Sequence, residues 1–145
     1  MQLTRAADYA VRAMIHFATL PPGGRITHKA LAEATGVPQS FLAKVLQALV
    51  RAGFVVSRRG LEGGFELSID STRISIVDVI QAVDGPIALN LCLMSGKTCN
   101  ERAWCAAHTV WTRAQQAMLS ELCSASIADL AAQTASNKAQ PATAQ

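Results

Sequence analysis

With 145 residues and a 15.3 kDa mass, the chain has room for one globular unit or a small domain with an appended helix. Half of its residues are apolar but only 5% are aromatic, so Leu, Val, Ile and Ala must fill the core, and no run approaches the ~18 apolar residues of a membrane span. The net charge of +3 is uneven: residues 1–73 hold nine Lys/Arg against five Asp/Glu, and residues 74–145 hold four against five, so the basic front half points to an anionic partner, nucleic acid first.

Residues 1–20 interleave charge with apolar positions rather than forming a continuous hydrophobic stretch, so no signal peptide is expected. Thr4 is the expected N-cap of a helix to about Leu20, with Ala6, Tyr9, Ala10, Ala13, Met14 and Phe17 as its buried stripe. Asp8, Arg12 and His16 share a second face. Thr27 caps a short helix ending at Gly36, and Pro38 opens a third helix closed by Gly53, with Leu42, Val45, Leu46 and Leu49 inward. Its other face carries Gln39, Ser40, Lys44, Gln47 and Arg51. Two short helices around a glycine turn, the second polar on its outer face, form a helix-turn-helix. In that motif the second helix enters the major groove.

Phe54–Arg59 and Phe65–Ile69 read as paired strands joined by Gly60-Leu61-Glu62-Gly63-Gly64. A hairpin after a helix-turn-helix makes a winged helix. Its Arg58 and Arg59 would contact phosphates or enter the minor groove. The DNA-facing set is therefore Thr27, Gln39, Ser40, Lys44, Arg58 and Arg59. Ser75 caps a further helix in a capping-box arrangement with Asp78, stopped by Asp84-Gly85-Pro86.

Cys92, Cys99 and Cys105 then fall within fourteen residues, in a stretch containing Gly96 and Lys97, and His108 follows one helical turn after the third cysteine. Four cysteines in a chain expected in a reducing cytoplasm read better as metal ligands than as disulfides, and clustered thiolates suit iron–sulfur clusters or zinc. From Cys105 a long helix to about Cys123 places Ala107, Trp111, Ala114, Met118 and Leu122 on a seam that suits pairing with a second copy. Cys123 reads as a buried core residue. Ser126 caps a short helix from Ile127 to Ala132, and residues 135–145 read as disordered.

The fold class is thus mostly α with a small β-hairpin: a winged helix-turn-helix over 1–84, a cluster-binding loop over 85–104, a dimerisation helix and short C-terminal helix over 105–132, and a tail over 133–145. Met1-Gln-Leu-Thr, Asp8-Tyr9-Ala10, Arg12-Ala13, Arg58-Arg59-Gly60, Gly63-Gly64, Ile76 with Asp78-Val79-Ile80, the three cysteines and Ile127-Ala-Asp-Leu130 together resemble the IscR/NsrR family of winged-helix iron–sulfur regulators, the Rrf-two superfamily. The resemblance spans about residues 1–132. It implies a homodimeric bacterial transcription factor on double-stranded operator DNA, with a cluster held by Cys92, Cys99, Cys105 and one non-cysteine ligand. His108 is similar to the fourth ligand of the IscR branch, which holds [2Fe–2S]. Asp8 of the partner subunit is similar to that of the NsrR branch, which holds [4Fe–4S] and senses nitric oxide. His108 and [2Fe–2S] are placed first, because His108 is local to the loop.

Ala43 stands where the IscR branch has a base-discriminating glutamate, so that branch's operator is not carried over. A structural zinc or a cluster-independent thiol switch is the alternative. Without Cys-x-x-Cys, a nucleotide fingerprint or a paired-carboxylate site, no enzyme and no small-molecule substrate are expected.

Overall fold

The computed structural model describes residues 3–94 and 99–139, so Met1, Gln2, the Gly96–Lys97 part of the cysteine loop and residues 140–145 of the expected tail lie outside it. Helices α1 (Arg5–Thr19), α2 (His28–Thr35) and α3 (Gln39–Arg51) come first, then strands β1 (Val55–Arg58) and β2 (Gly64–Leu67). Helices α4 (Ile76–Asp84), α5 (Ala106–Cys123) and α6 (Ile127–Ala139) follow, with short 3-10 turns at Ser71–Arg73 and Leu91–Leu93.

Local chemistry sets the helix boundaries. The Thr4 hydroxyl accepts from the Ala7 amide at 3.1 Å and donates to the Asp84 carboxylate at 2.7 Å, tying the start of α1 to the end of α4. Thr27 caps α2 in the same way through Ala30. Gly36 ends α2 at φ +68°, a left-handed conformation that costs glycine little, and so makes the turn into α3. Ser75 and Asp78 form a complete capping box on α4. A second, Ser126 with Asp129, opens α6. The two box serines pair across an isolated bridge, and Ile127 donates its amide to the Ile74 carbonyl at 2.8 Å, which returns α6 to the first domain.

One core results. Met14, Phe17, Leu31, Leu42, Leu46, Leu49, Val55, Ile74, Val79 and Ile127 are fully or almost fully buried in it. Helix α6 lies along α1 and reaches Ala139, beyond the Ala132 end and into the stretch expected to be disordered. Alanine-rich sequence favours helix once Ile127 and Ala131 are anchored. The wing strands pair antiparallel in the register Val55↔Leu67 to Arg58↔Gly64. Ile26 adds a third edge, exchanging both backbone hydrogen bonds with Phe65 at 3.0 and 2.9 Å. Gly64 permits that approach, since a Cβ there would sit 2.7 Å from the Ile26 carbonyl oxygen.

Helix α5 differs in kind. It packs on α4 and on the Leu91–Leu93 turn, yet none of its eighteen residues is buried. Cys123, at its end, is exposed and not the core residue the sequence suggested. A lone cysteine near a helix end has no periodic partners to decide its face.

Candidate nucleic-acid interface and metal centre

Helix α3 presents Gln39, Ser40 and Lys44 on its exposed side, opposite the buried Leu42, Val45, Leu46 and Leu49. Its first turn is braced twice. The His28 ring, through Nε2, donates to the Gln39 carbonyl at 3.0 Å, and Phe41 meets Tyr9 of α1 edge-to-face with ring centroids 5.8 Å apart. A cleft of about 580 Å³ separates α3 from the wing, lined by His28, Gln47, Arg51, Ser57 and Phe65 among others. Thr27 is exposed, although its hydroxyl already accepts the α2 capping bond.

The wing holds a feature that the sequence reading did not find. Glu66 is 8% exposed, and each carboxylate oxygen takes one arginine: Arg25 Nε donates at 2.7 Å and Arg58 Nε at 2.8 Å. Arg25 foremost, then Arg58, holds the Glu66 carboxyl below the ordinary carboxylate range by hydrogen bonding to its charged form. Arg58 is therefore half of an ion-pair network rather than a free wing arginine, whereas Arg59 is exposed and forms no ion pair among the described residues. Leu61 stands fully exposed at the wing tip.

Cys92, Cys99, Cys105 and His108 line a separate cleft of about 470 Å³ with Asn90, Arg102 and Trp111. Asn90 caps the turn that carries Cys92, accepting from the Leu91 amide at 2.7 Å. Gln115 of α5 accepts from the Leu89 amide at 2.9 Å and fastens this segment to the long helix. Cys105 is the N-cap of α5 but makes no side-chain capping bond, so helix initiation does not use its thiol. His108 Nδ1 is buried and has no hydrogen-bond partner among the described residues. A buried ring nitrogen without a partner is costly, and a metal ligand bond would satisfy it.

In donor type, then, the set fits a soft metal centre. Among the described residues, however, no three His, Cys, Asp or Glu groups gather closely enough to hold a single ion. Asp8 lies outside this cleft, on α1, and pairs with Arg12 at 2.9 Å.

The profile of the Rrf2 family, described as an iron-dependent transcriptional regulator, matches residues 3–133. The chain belongs to the Rrf2 family. A Mycobacterium tuberculosis H37Rv protein, Rv1287, provisionally named an HTH-type transcriptional regulator, is 37% identical over 131 residues, covering 90% of this chain and 81% of that one. Among solved structures, CymR, the global cysteine regulator of B. subtilis, is similar with a TM-score of 0.75 and 25% identity, covering 92% of this chain and 98% of that one. IscR of T. potens has a TM-score of 0.74 at 24% identity, covering 99% and 94%, a likeness of fold.

Membership in the Rrf2 family makes the chain a transcriptional regulator of a DNA-binding family, as the sequence resemblance implied, and its described residues form six α-helices and a two-stranded wing. No helix among the described residues is long and apolar enough to cross a membrane.

Proposed function

We propose that this Rrf2 regulator binds operator DNA as a homodimer and reads redox, nitric oxide or iron–sulfur status at the cleft formed by Cys92, Cys99, Cys105 and His108. The observation that carries the reading is that His108, whose Nδ1 is buried without a hydrogen-bond partner among the described residues, lines the same cleft as three cysteines. A bound iron–sulfur cluster would supply reversible electron transfer and reactivity toward oxidants and nitric oxide. The three thiolates and the imidazole would hold it, [2Fe–2S] before [4Fe–4S], and Asp8 of the partner subunit is the competing fourth ligand.

The chain's own residues supply the transmission. Cys105 and His108 sit at the start of α5, and Gln115 joins α5 to the segment bearing Cys92. Helix α5 packs on α4, and α4 packs on both α1 and α3. A change at the cleft therefore acts on the element that carries Gln39, Ser40 and Lys44. With α5 pairing two copies along Trp111, Met118 and Leu122, that change sets the spacing of the two recognition helices and so the affinity for two half-sites.

A second reading, a thiol switch without metal, draws on the exposed Cys99 and on the absence of three gathered ligands among the described residues. One experiment separates the two. Anaerobically purified protein is assayed for iron, sulfide and visible absorption, beside His108→Ala and Asp8→Ala. Two irons per subunit, lost with His108→Ala and retained with Asp8→Ala, support the first reading. Four irons with the reverse mutant pattern transfer the fourth-ligand role to Asp8. An iron-free protein whose DNA affinity still responds to thiol oxidation sinks the cluster and leaves the switch.

A further inference from the structure

Burying an acid within a basic nucleic-acid face runs against simple electrostatics, because Glu66 cancels one of the two positive charges beside it. The geometry shows what the acid does instead. Glu66 is nearly covered, its side chain 11% exposed, while Arg25 and Arg58 stand 44% and 54% exposed on either side. Each guanidinium gives only its Nε–H to the carboxylate. Arg25 adds a long contact from one terminal nitrogen to the Glu62 carbonyl at 3.5 Å. The terminal nitrogens of Arg58 have no protein acceptor among the described residues, and a guanidinium offers five N–H donors in all.

The trio sits where the DNA-facing elements meet. Arg25 immediately precedes Ile26, whose backbone is locked to Phe65 of the wing, and Thr27 follows as the cap of α2. His28 then binds the first residue of α3.

We propose that Arg25 and Arg58, held side by side on the Glu66 carboxylate, form one two-guanidinium clamp on a DNA phosphate, with Glu66 as its positioning residue. The proposal rests on the DNA-binding reading above and extends the contact surface from the wing to the start of α2. Phosphate presents several acceptor oxygens and matches the planar fork of arginine, so two forks at one place hold it better than two free side chains. Arginine carries large rotamer entropy, and ordering both side chains before DNA arrives removes part of that loss from binding. The clamp carries no sequence information; it sets position and register.

The test is a salt titration of affinity for a duplex of arbitrary sequence, by fluorescence anisotropy, using the full chain and its variants below their melting midpoints. Arg25→Ala is expected to weaken binding equally on unrelated sequences and to reduce the slope of log K against log salt by about one. Glu66→Gln is the decisive variant. It adds a net positive charge, so charge counting alone demands tighter binding, whereas a positioning role demands weaker binding. Arg25→Lys, which keeps the charge but not the fork, is expected to leave the slope and lower the affinity; it also serves if Arg25→Ala does not fold. Unchanged slope and affinity in Arg25→Ala, unchanged affinity in Arg25→Lys, or tighter binding in Glu66→Gln would each overturn the clamp. Failure of the unsubstituted chain to bind any duplex would sink the DNA-binding reading itself, and the clamp with it.

Discussion

Every buried side chain among the described residues lies either before Gln81 or after Ser126; the cysteine segment and all of α5 between them contribute none. The winged body, with α6 folded back on it, is held by its own core and by paired capping boxes. The intervening segment is held by a few polar contacts, Gln115 to Leu89 among them, while Trp104, Val110 and Trp111 stand 72%, 53% and 42% exposed. Burial of apolar area is the main stabiliser of a fold. A segment with no residue buried outright takes much of its shape from what binds it or pairs with it. In the regulator proposed above that is a useful division: the part that would meet the signal is weakly constrained, and the part that would meet DNA is not.

The largest expected effect tests that division directly. Phe17→Ala empties the centre of the body and should lower unfolding free energy by about 3–5 kcal/mol in urea denaturation. Trp111→Ala on α5 should move the same transition by less than about 0.5 kcal/mol at concentrations where the chain is monomeric. A comparable loss from both would mean that α5 belongs to the body after all.

A middle-sized effect lies at the seam between the regions. Ser126→Ala removes the hydroxyl half of the box that starts α6, leaving the Asp129 carboxylate only the residue-126 amide, and should cost about 1 kcal/mol. The Ser126 hydroxyl, first, and its amide hold Asp129 below the ordinary carboxylate range. The folded carboxyl thus binds its proton less readily than the unfolded one. The stabilisation is complete above the unfolded value and lost as pH falls toward the folded one, and the alanine variant, which keeps only the amide bond, should show a smaller acid-side decline.

The smallest effect reports α6 against α1. Burial first, and then the charge of Lys138, lowers the pKa of His16. The fold therefore prefers neutral imidazole: its stability is complete above the ordinary histidine value of about 6.5 and declines as pH falls toward the depressed folded value. Lys138→Ala should raise the His16 titration midpoint in an NMR pH series. An unmoved midpoint would show that the Lys138 end of α6 does not lie beside His16 in solution.

Most of the body could be read from the chain. Thr4, Thr27 and the Ser75–Asp78 pair announce helix starts because caps depend on residues three apart, and the recognition helix follows from its apolar stripe. The four cleft residues were equally visible, since Cys92 to His108 span one local stretch. Arg25 with Glu66 was not. They are 41 residues apart, and only the hairpin register and the Ile26 edge reveal the cover over Glu66. Nothing local marks Cys123 as exposed, or carries α6 to Ala139.

By itself, then, the sequence determined what depends on near neighbours: helix caps, apolar stripes, the wing and the spacing of the cysteines and His108. Tertiary structure alone decided what depends on faces brought together from afar: an acid buried between two arginines, an imidazole nitrogen buried without a partner among the described residues, and a long helix with no residue buried outright. The physical reason is that capping and periodicity act within a turn or two of backbone, whereas burial and ion pairing are settled only when distant surfaces exclude water from one another.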